Sequence, residues 1–258
     1  VAMTEEIVQS SIDIFAVIVR ELLPTPSKTH YTFNLRDLAK VFQGMLMSDS
    51  RRITSKEELA RLWVHESRRV YADRLTCDED HEWLKEKMKE QIEQTFKMNW
   101  DAVMPVNKVV YGDFLNSTNE RIYEEIPSMD ILKTTVDELL VEYNAESKQP
   151  MPLVLFDDAL MHVARIARIL RQPQGNALLL GVGGSGRQSM TKLATYVAGY
   201  SIYQVEIIKG YSMADWREDL KKVLMLAGVK DKSTTFLFSD VQIIDERMVE
   251  DINNILNS

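Results

Sequence analysis

Glycine is spread so unevenly along this chain that one uniform architecture is ruled out. Residues 1–170 hold only Gly44 and Gly112, residues 171–258 hold the other eight, and four of those fall within Gly181–Gly186. Glycine supplies the backbone conformations that tight turns require, so turn chemistry changes sharply near Pro173. Before that point the apolar residues recur at helical spacing. Ile7, Ser11, Ile14, Ile18 and Leu22 form one stripe that Pro24 stops. Asn34 is placed to cap a helix carrying Leu35, Leu38, Val41, Phe42, Met45 and Leu46. Ser55 and Glu58 have the spacing of a capping box ahead of Leu59, Leu62 and Trp63. Two more helices are predicted, over 78–98 and 128–146, and this first region reads as all helix and loop.

After an amphipathic helix predicted over 154–172, the pattern becomes alternating. Ala177-Leu178-Leu179-Leu180 is short and continuously apolar, as a buried parallel strand should be. A helix to Gly199, a strand over 202–208, and a helix capped by Ser212 follow. Gly228 is expected to close that helix as its C′ residue. A strand over 234–239 and a helix over 248–256 complete the sequence. This β-α-β-α-β-α order predicts an α/β unit with a parallel three-layer sheet. The domain expectation is therefore 1–150 all-helical and 151–258 α/β.

Composition narrows the function classes. The 258 residues carry 31 Lys+Arg against 39 Asp+Glu, a formal charge of −8. An acidic surface is a poor grip on nucleic acid, whose binding rests on positive charge that releases counterions. The best apolar run, Ile12 to Leu23, is broken by Asp13, Arg20 and Glu21, so no membrane span is expected. Cys77 is the single cysteine, which excludes an internal disulfide and suits a reducing compartment such as the cytoplasm. His30, His65, His81 and His162 are too far apart for a local zinc motif, and His81 reads as a solvated helix residue. Val1 in place of an initiator Met suggests a piece of a longer protein.

The chemistry concentrates in Gly181-Val182-Gly183-Gly184-Ser185-Gly186-Arg187-Gln188-Ser189, between an expected strand and an expected helix. Backbone N–H groups there can turn inward with no Cβ to block an approaching phosphate, and the helix adds its positive end. Two templates fit. Gly181, Gly183 and Gly186 match the dinucleotide G-x-G-x-x-G, with Glu206 where a ribose-binding acid would lie. The same stretch matches the P-loop, with Arg187 in place of Lys. A P-loop also wants an acid at the end of another apolar strand, and Asp240 after Thr235-Phe236-Leu237-Phe238-Ser239 supplies it. That favours the P-loop over the dinucleotide reading. A glycine turn without any ligand is the plain alternative.

The phrases GVGGSGRQSMTKLA (181–194), LVLFDDALMHVARIARILRQPQGNALLLG (153–181), FLFSD (236–240) and EDINNILNS (250–258) resemble the fourth AAA+ module of axonemal dynein heavy chains. HYTFNLRDLAKVFQGM (30–45) and LWVHESRRVYADRL (62–75) resemble the helical lid of the third module. The resemblance covers nearly the whole chain. It implies a lid with a linker, followed by the nucleotide-binding half of the next module, in a ciliary microtubule motor ATPase. It further implies other AAA+ modules of the same heavy chain, microtubules, and dynein intermediate and light chains as partners, with the cytoskeleton of the cilium axoneme as location.

On that resemblance Gly181 through Ser189 are the Walker A residues, Phe236 to Asp240 the Walker B strand, and the cofactor is ATP or ADP with Mg2+. Val154 and Leu155 match the adenine cradle, although an apolar pair there equally suits a core. Arg187 keeps the charge of the usual Lys but presents a planar fork. Gln188 stands where a Mg2+-binding Ser or Thr belongs. Ser189 points about 100° further round the helix, which leaves Ser189 and Asp240 as the candidate metal ligands. Val241 replaces the Glu that polarises the attacking water, so a site that binds nucleotide and hydrolyses it weakly is expected. Asp245 and Glu246 lie near but shifted. The chain ends eighteen residues after Asp240, ahead of any sensor or arginine finger, so the chain by itself is expected to be nearly inactive. Arg36 matches the lid arginine that senses a γ-phosphate in the previous module, or else it pairs with Asp37 or faces solvent. A purely structural ring segment, or a nicotinamide-dependent enzyme using Gly181, Gly183, Gly186 and Glu206, are the other classes.

Overall fold

A computed structural model describes residues 3–106, 108–115 and 121–257. Val1, the residue behind the expectation of a longer protein, lies outside them. The chain forms two compact units, residues 1–127 and 128–258.

The first unit is built from α1 (Thr4–Glu21), α2 (Leu35–Met45), α3 (Lys56–Val70), α4 (Asp78–Gln94) and the short α5 (Trp100–Val103). Their starts follow from local chemistry. Asn34 and Ser55 each close a full capping box, with Asp37 and Glu58 reaching back to the cap N–H. The apolar stripes then face one another around Trp63, which is fully buried and donates its indole N–H to Ser11 Oγ at 2.9 Å. Ile14, Ile18, Val41, Leu62, Leu84, Met88 and Ile92 belong to the same core. Burying side chains of this size contributes about 1.5–3 kcal/mol each before conformational entropy is set against it.

This unit is not wholly helical. β1 (Tyr111–Gly112) pairs antiparallel with β2 (Glu124–Glu125). The pair follows from the aromatic contacts around it: the Tyr111 ring lies 4.9 Å from His65 and 5.8 Å from Tyr123, and Tyr123 donates to the buried Glu66 carboxylate at 2.7 Å. Cross-strand packing of that kind is what stabilises so short a ladder.

The second unit contains α6 (Met129–Glu146), α7 (Asp157–Arg171), α8 (Arg187–Val197), α9 (Met213–Leu224) and α10 (Glu246–Leu256), with β3 (Ser201–Gln204) and β4 (Thr234–Leu237). The boundary at Pro127 assigns α6, expected in the first region, to the second compact unit, where it packs on α7 and α8. The α/β class holds, since β3 and β4 run parallel with Ser201 opposite Thr234 and Gln204 opposite Leu237.

Several local expectations change, among them the strand lengths: β3 stops at Gln204 where 208 was expected and β4 at Leu237 where 239 was expected. The run Ala177–Leu180 has no regular structure and joins no ladder among the described residues, and Leu178 and Leu180 are about four-fifths exposed. A continuous apolar run becomes a parallel strand only when sheet neighbours flank it, and here none do. The helix expected from Val154 begins at Asp157, where two aspartates meet the positive helix end and Phe156 is still extended. Gly228 does not close α9. The helix widens into a π turn over Met225–Val229, and Asp231, with φ of 47°, takes the left-handed place as Lys232 N–H bonds Leu226 C=O.

Replacing Ser55 by Ala leaves the Glu58 N–H without its cap and should lower stability by about 1 kcal/mol. Urea unfolding followed by helical circular dichroism checks this, and an unchanged midpoint would contradict it.

Candidate functional site

The glycine segment lies directly ahead of α8, and backbone geometry shapes it. Gly184 and Gly186 have φ of 80° and 77°, conformations that cost a residue with a Cβ about 1–2 kcal/mol. Gly186 is the N-cap residue of α8, so the turn delivers the chain into the helix with its first N–H groups facing the loop. A Cβ at Gly183 or Gly184 would meet nothing within 4 Å, which leaves the backbone open to a ligand. Gly175 upstream has a different reason, since a Cβ there would fall 1.8 Å from the Ile169 carbonyl oxygen at the end of α7.

Val182 C=O holds the loop closed. It accepts from Ser185 N–H at 3.3 Å and from the Arg187 guanidinium at 3.2 Å. Arg187 also lies beside Gly181, where a Cβ would come within 3.5 Å of its Cδ. Gln188 Oε1 accepts from Gln204 Nε2 at 3.5 Å, which ties the start of α8 to the carboxyl end of β3. Ser189 is the next residue, half-buried.

Since β3 and β4 are parallel and in register, their carboxyl ends lie side by side. Asp240 begins a 3-10 turn three residues after β4 ends. The start of α8, which Gln188 ties to Gln204, and the turn that begins at Asp240 thus both lie at the strand carboxyl ends, the position open α/β sheets use for ligands. Asp240 is exposed and accepts from the Val241 N–H at 3.0 Å, and Val241 is 77% exposed.

Gln242, which the motif reading does not pick out, fixes this turn. Its buried side chain accepts from Ser239 N–H at 2.7 Å and Ser239 Oγ at 3.0 Å, and donates to the Val205 carbonyl just past β3. Ser239 to Gln242 is an S-x-x-Q capping box, and that spacing is visible in the sequence. Beneath it, Trp216 packs with Val205, Met248, Phe236 and Phe238 and donates to Asp251 of α10 at 2.9 Å.

Asp219 secures the other side of β3. It accepts from Tyr203 at 2.8 Å, Tyr211 at 2.7 Å and Lys222 at 2.8 Å. Burial pushes its carboxyl up, but the Lys222, Tyr211 and Tyr203 donors outweigh this and hold it below 3.8. Burial first, then the bond to Asp219, raises Tyr203 to about 12.

The remaining candidates separate. Asp245 is committed elsewhere. It caps α10 and takes two bonds from Arg247, at 2.8 and 2.6 Å, which lower its pKa to about 2. Leu155 is buried while Val154 is 87% exposed. Glu206 is exposed two residues beyond β3. Arg36 is exposed, and Asp37, the partner considered for it, instead holds Arg74 at 2.8 Å. His81 is exposed on α4. No group of three or more His, Cys, Asp or Glu is placed for a metal ion among the described residues, and no helix is long and apolar enough to cross a membrane.

Residues 151–258 match the family described as the P-loop containing dynein motor region D4, and residues 7–109 match the AAA+ lid domain. The chain is 48% identical over 257 residues to dynein axonemal heavy chain 1 of Mus musculus, which covers 99% of this chain. It is 48% identical over 256 residues to the Homo sapiens protein of the same name, again covering 99%. Dynein axonemal heavy chain 3 of Mus musculus is 43% identical over 265 residues and covers 98%. The chain belongs to the axonemal dynein heavy chains. It spans 6% of the length of each of these relatives. Of the two glycine templates, the match to a P-loop region selects the P-loop for this dynein stretch, and the dinucleotide reading falls.

Two outcomes test the geometry. Gln242→Leu strands the Ser239 N–H and the Val205 C=O and should cost about 1–3 kcal/mol per buried unsatisfied group in denaturant unfolding. Asp219, with its folded pKa depressed, contributes stability that is fully present above 3.8 and lost as pH falls through its lowered value. Asp219→Asn should therefore unfold less steeply with acid than the parent when denaturation midpoints are compared from about pH 5 down to pH 2. Parallel acid profiles would refute the assignment.

Proposed function

We propose that the Gly181–Ser189 loop binds ATP or ADP as a regulatory or structural nucleotide and hydrolyses it weakly. The observation that carries this reading is the left-handed backbone at Gly184 and Gly186, which leads into the start of α8 beside the carboxyl ends of β3 and β4. Gly181, Val182, Gly183, Gly184, Ser185 and Gly186 surround the phosphates through backbone N–H groups. On nucleotide arrival Arg187 exchanges the Val182 carbonyl for a phosphate oxygen. Leu155 and Val154 border the base, with Leu155 as fixed wall.

Weak hydrolysis is supported by the residues on the C-terminal side of Asp240. Val241 has no group to orient a water, and Asp245 is held by Arg247. Catalysis of phosphoryl transfer is mostly positioning and electrostatics, so this lack slows the reaction by orders of magnitude. The Mg2+ that the family implies fits these residues poorly. A hydroxyl belongs at Gln188, whose amide oxygen is already bonded to Gln204, which leaves Ser189 and the exposed Asp240 as metal ligands of last resort.

Residues 1–150 act as the lid of the preceding AAA+ module with its linker, and 151–258 as the nucleotide-binding part of the next. The whole protein is a motor ATPase of the ciliary axoneme. It works with its other AAA+ modules, with microtubules, and with intermediate and light chains. Nucleic acid and membrane are not partners. Arg36 either serves the γ-phosphate of the preceding module or faces solvent. A purely structural segment is the second reading, favoured by Gln188 and Val241.

Calorimetric titration of ATP, ADP and NAD into the chain decides between them. Adenine nucleotide should bind and NAD should not. Arg187→Ala should weaken binding about tenfold or more, as expected for a charge-assisted bond to phosphate. No binding by a folded chain would leave the structural reading.

A further inference from the structure

Away from the glycine loop, α9 and α10 bound a second cleft, of about 530 Å3, to which that loop contributes no lining residue. Helical spacing decides what lines it. From α9 come Arg217, Leu220, Lys221 and Leu224, at i, i+3, i+4 and i+7, so one face of the helix is presented. From α10 come Asp251, Asn254 and Ile255, at i, i+3 and i+4, again a single face. The π turn completes the cleft with Met225 and Val229. None of that turn is buried, although Met225, Leu226 and Val229 are large and apolar, and Leu224 ahead of it is more than half exposed. π turns are rare and gather at functional sites, and apolar surface left open in a concave cleft marks a place where another surface docks.

The charges say which kind of surface. Arg217 is exposed and makes no ion pair among the described residues. Lys221 has only Glu218, 3.6 Å away and also exposed, a contact that contributes little. The one acid lining the cleft, Asp251, is half-buried and accepts from the Trp216 indole at 2.9 Å. Arg217 and Lys221 therefore form a cationic lip beside an apolar floor, on a chain whose formal charge is −8. We infer that this cleft is the docking site of an amphipathic helix of a partner protein, whose apolar residues at i, i+3 or i+4 spacing fill it and whose Asp or Glu flank meets Arg217 and Lys221. A flat anionic membrane would satisfy the two cations and leave the cleft unfilled. Nucleotide at the glycine loop is not required.

The test uses two fluorescent helical peptides of about 18 residues, each with one leucine stripe, flanked by Glu in the first and by Lys in the second. Anisotropy is read on titrating the full chain, its Leu224→Asp variant and its Arg217→Glu/Lys221→Glu variant, with circular dichroism melts confirming that each is folded. The parent should bind the Glu peptide with Kd below about 100 μM and the Lys peptide at least about tenfold more weakly. Leu224→Asp, at an exposed position, should weaken the Glu peptide about tenfold or more by placing a charge against the leucine stripe. Arg217→Glu/Lys221→Glu should reverse the preference between the peptides, which loss of fold would not do. Equal affinity of the parent for both peptides, no binding of either, or unchanged binding by Leu224→Asp overturns the inference. So does sedimentation showing that the chain self-associates through this face, with Leu224→Asp monomeric and the Glu peptide unable to compete, which would make a second copy the occupant. Binding to vesicles of phosphatidylserine and phosphatidylcholine that Leu224→Asp abolishes, without binding of the Glu peptide, would overturn it in favour of a membrane surface.

Discussion

The parallel ladder between β3 and β4 is the interaction on which the second unit depends. Four residue pairs in register set two carboxyl ends side by side. Everything the site needs is then referred to that edge: Gln204 reaches α8, Gln242 joins the turn after β4 to the residue after β3, and Asp240 begins that turn. A ladder this short does not hold itself. Trp216, Val205 and Met248 beneath it, with Asp219 gripping Tyr203, supply the burial and hydrogen bonds that keep both strands in place.

The first unit has a different logic. Its helices are specified one by one by caps and stripes, and Trp63 joins them by filling the centre and bonding Ser11. Its polar interior is connected: Glu66 takes Tyr123, and Arg61 spans Val103 C=O and Glu125 at 2.6 and 2.7 Å. Buried charges with such partners stabilise a particular arrangement more than they add net free energy. Those contacts hold the short β1–β2 ribbon against α3, so the ribbon is a product of packing and not of strand propensity.

For the candidate site, the substitutions relative to an ordinary P-loop become coherent once placed together. Arg187, Gln188 and Val241 each look like a loss when read singly. In three dimensions Arg187 rests on a loop carbonyl that a phosphate could replace, Gln188 meets Gln204 at the end of β3, and Val241 lies exposed on a turn whose position Gln242 sets. That arrangement is what the proposed weakly hydrolysing nucleotide site rests on.

The helices were legible in the sequence because their signals are local: Asn34, Ser55, Ser128 and Ser212 cap the helices whose stripes come after them, and hydrogen bonds between residues three apart need no distant partner. The loop was legible for the same reason, as positive φ at Gly184 and Gly186 is a property of glycine itself. Leu178 and Leu180 show where that reasoning stops. Their apolarity indicates a preference for burial, but a strand exists only if another strand lies beside it, and pairing is decided by the whole chain. The same holds for Gln188, whose identity is in the sequence while its meeting with Gln204 is a matter of tertiary structure. What this sequence determined by itself was which segments are helices and where a glycine loop leads into one. What only the tertiary structure decided was which strands pair and which way the polar side chains at their ends face, because both depend on residues far apart along the chain.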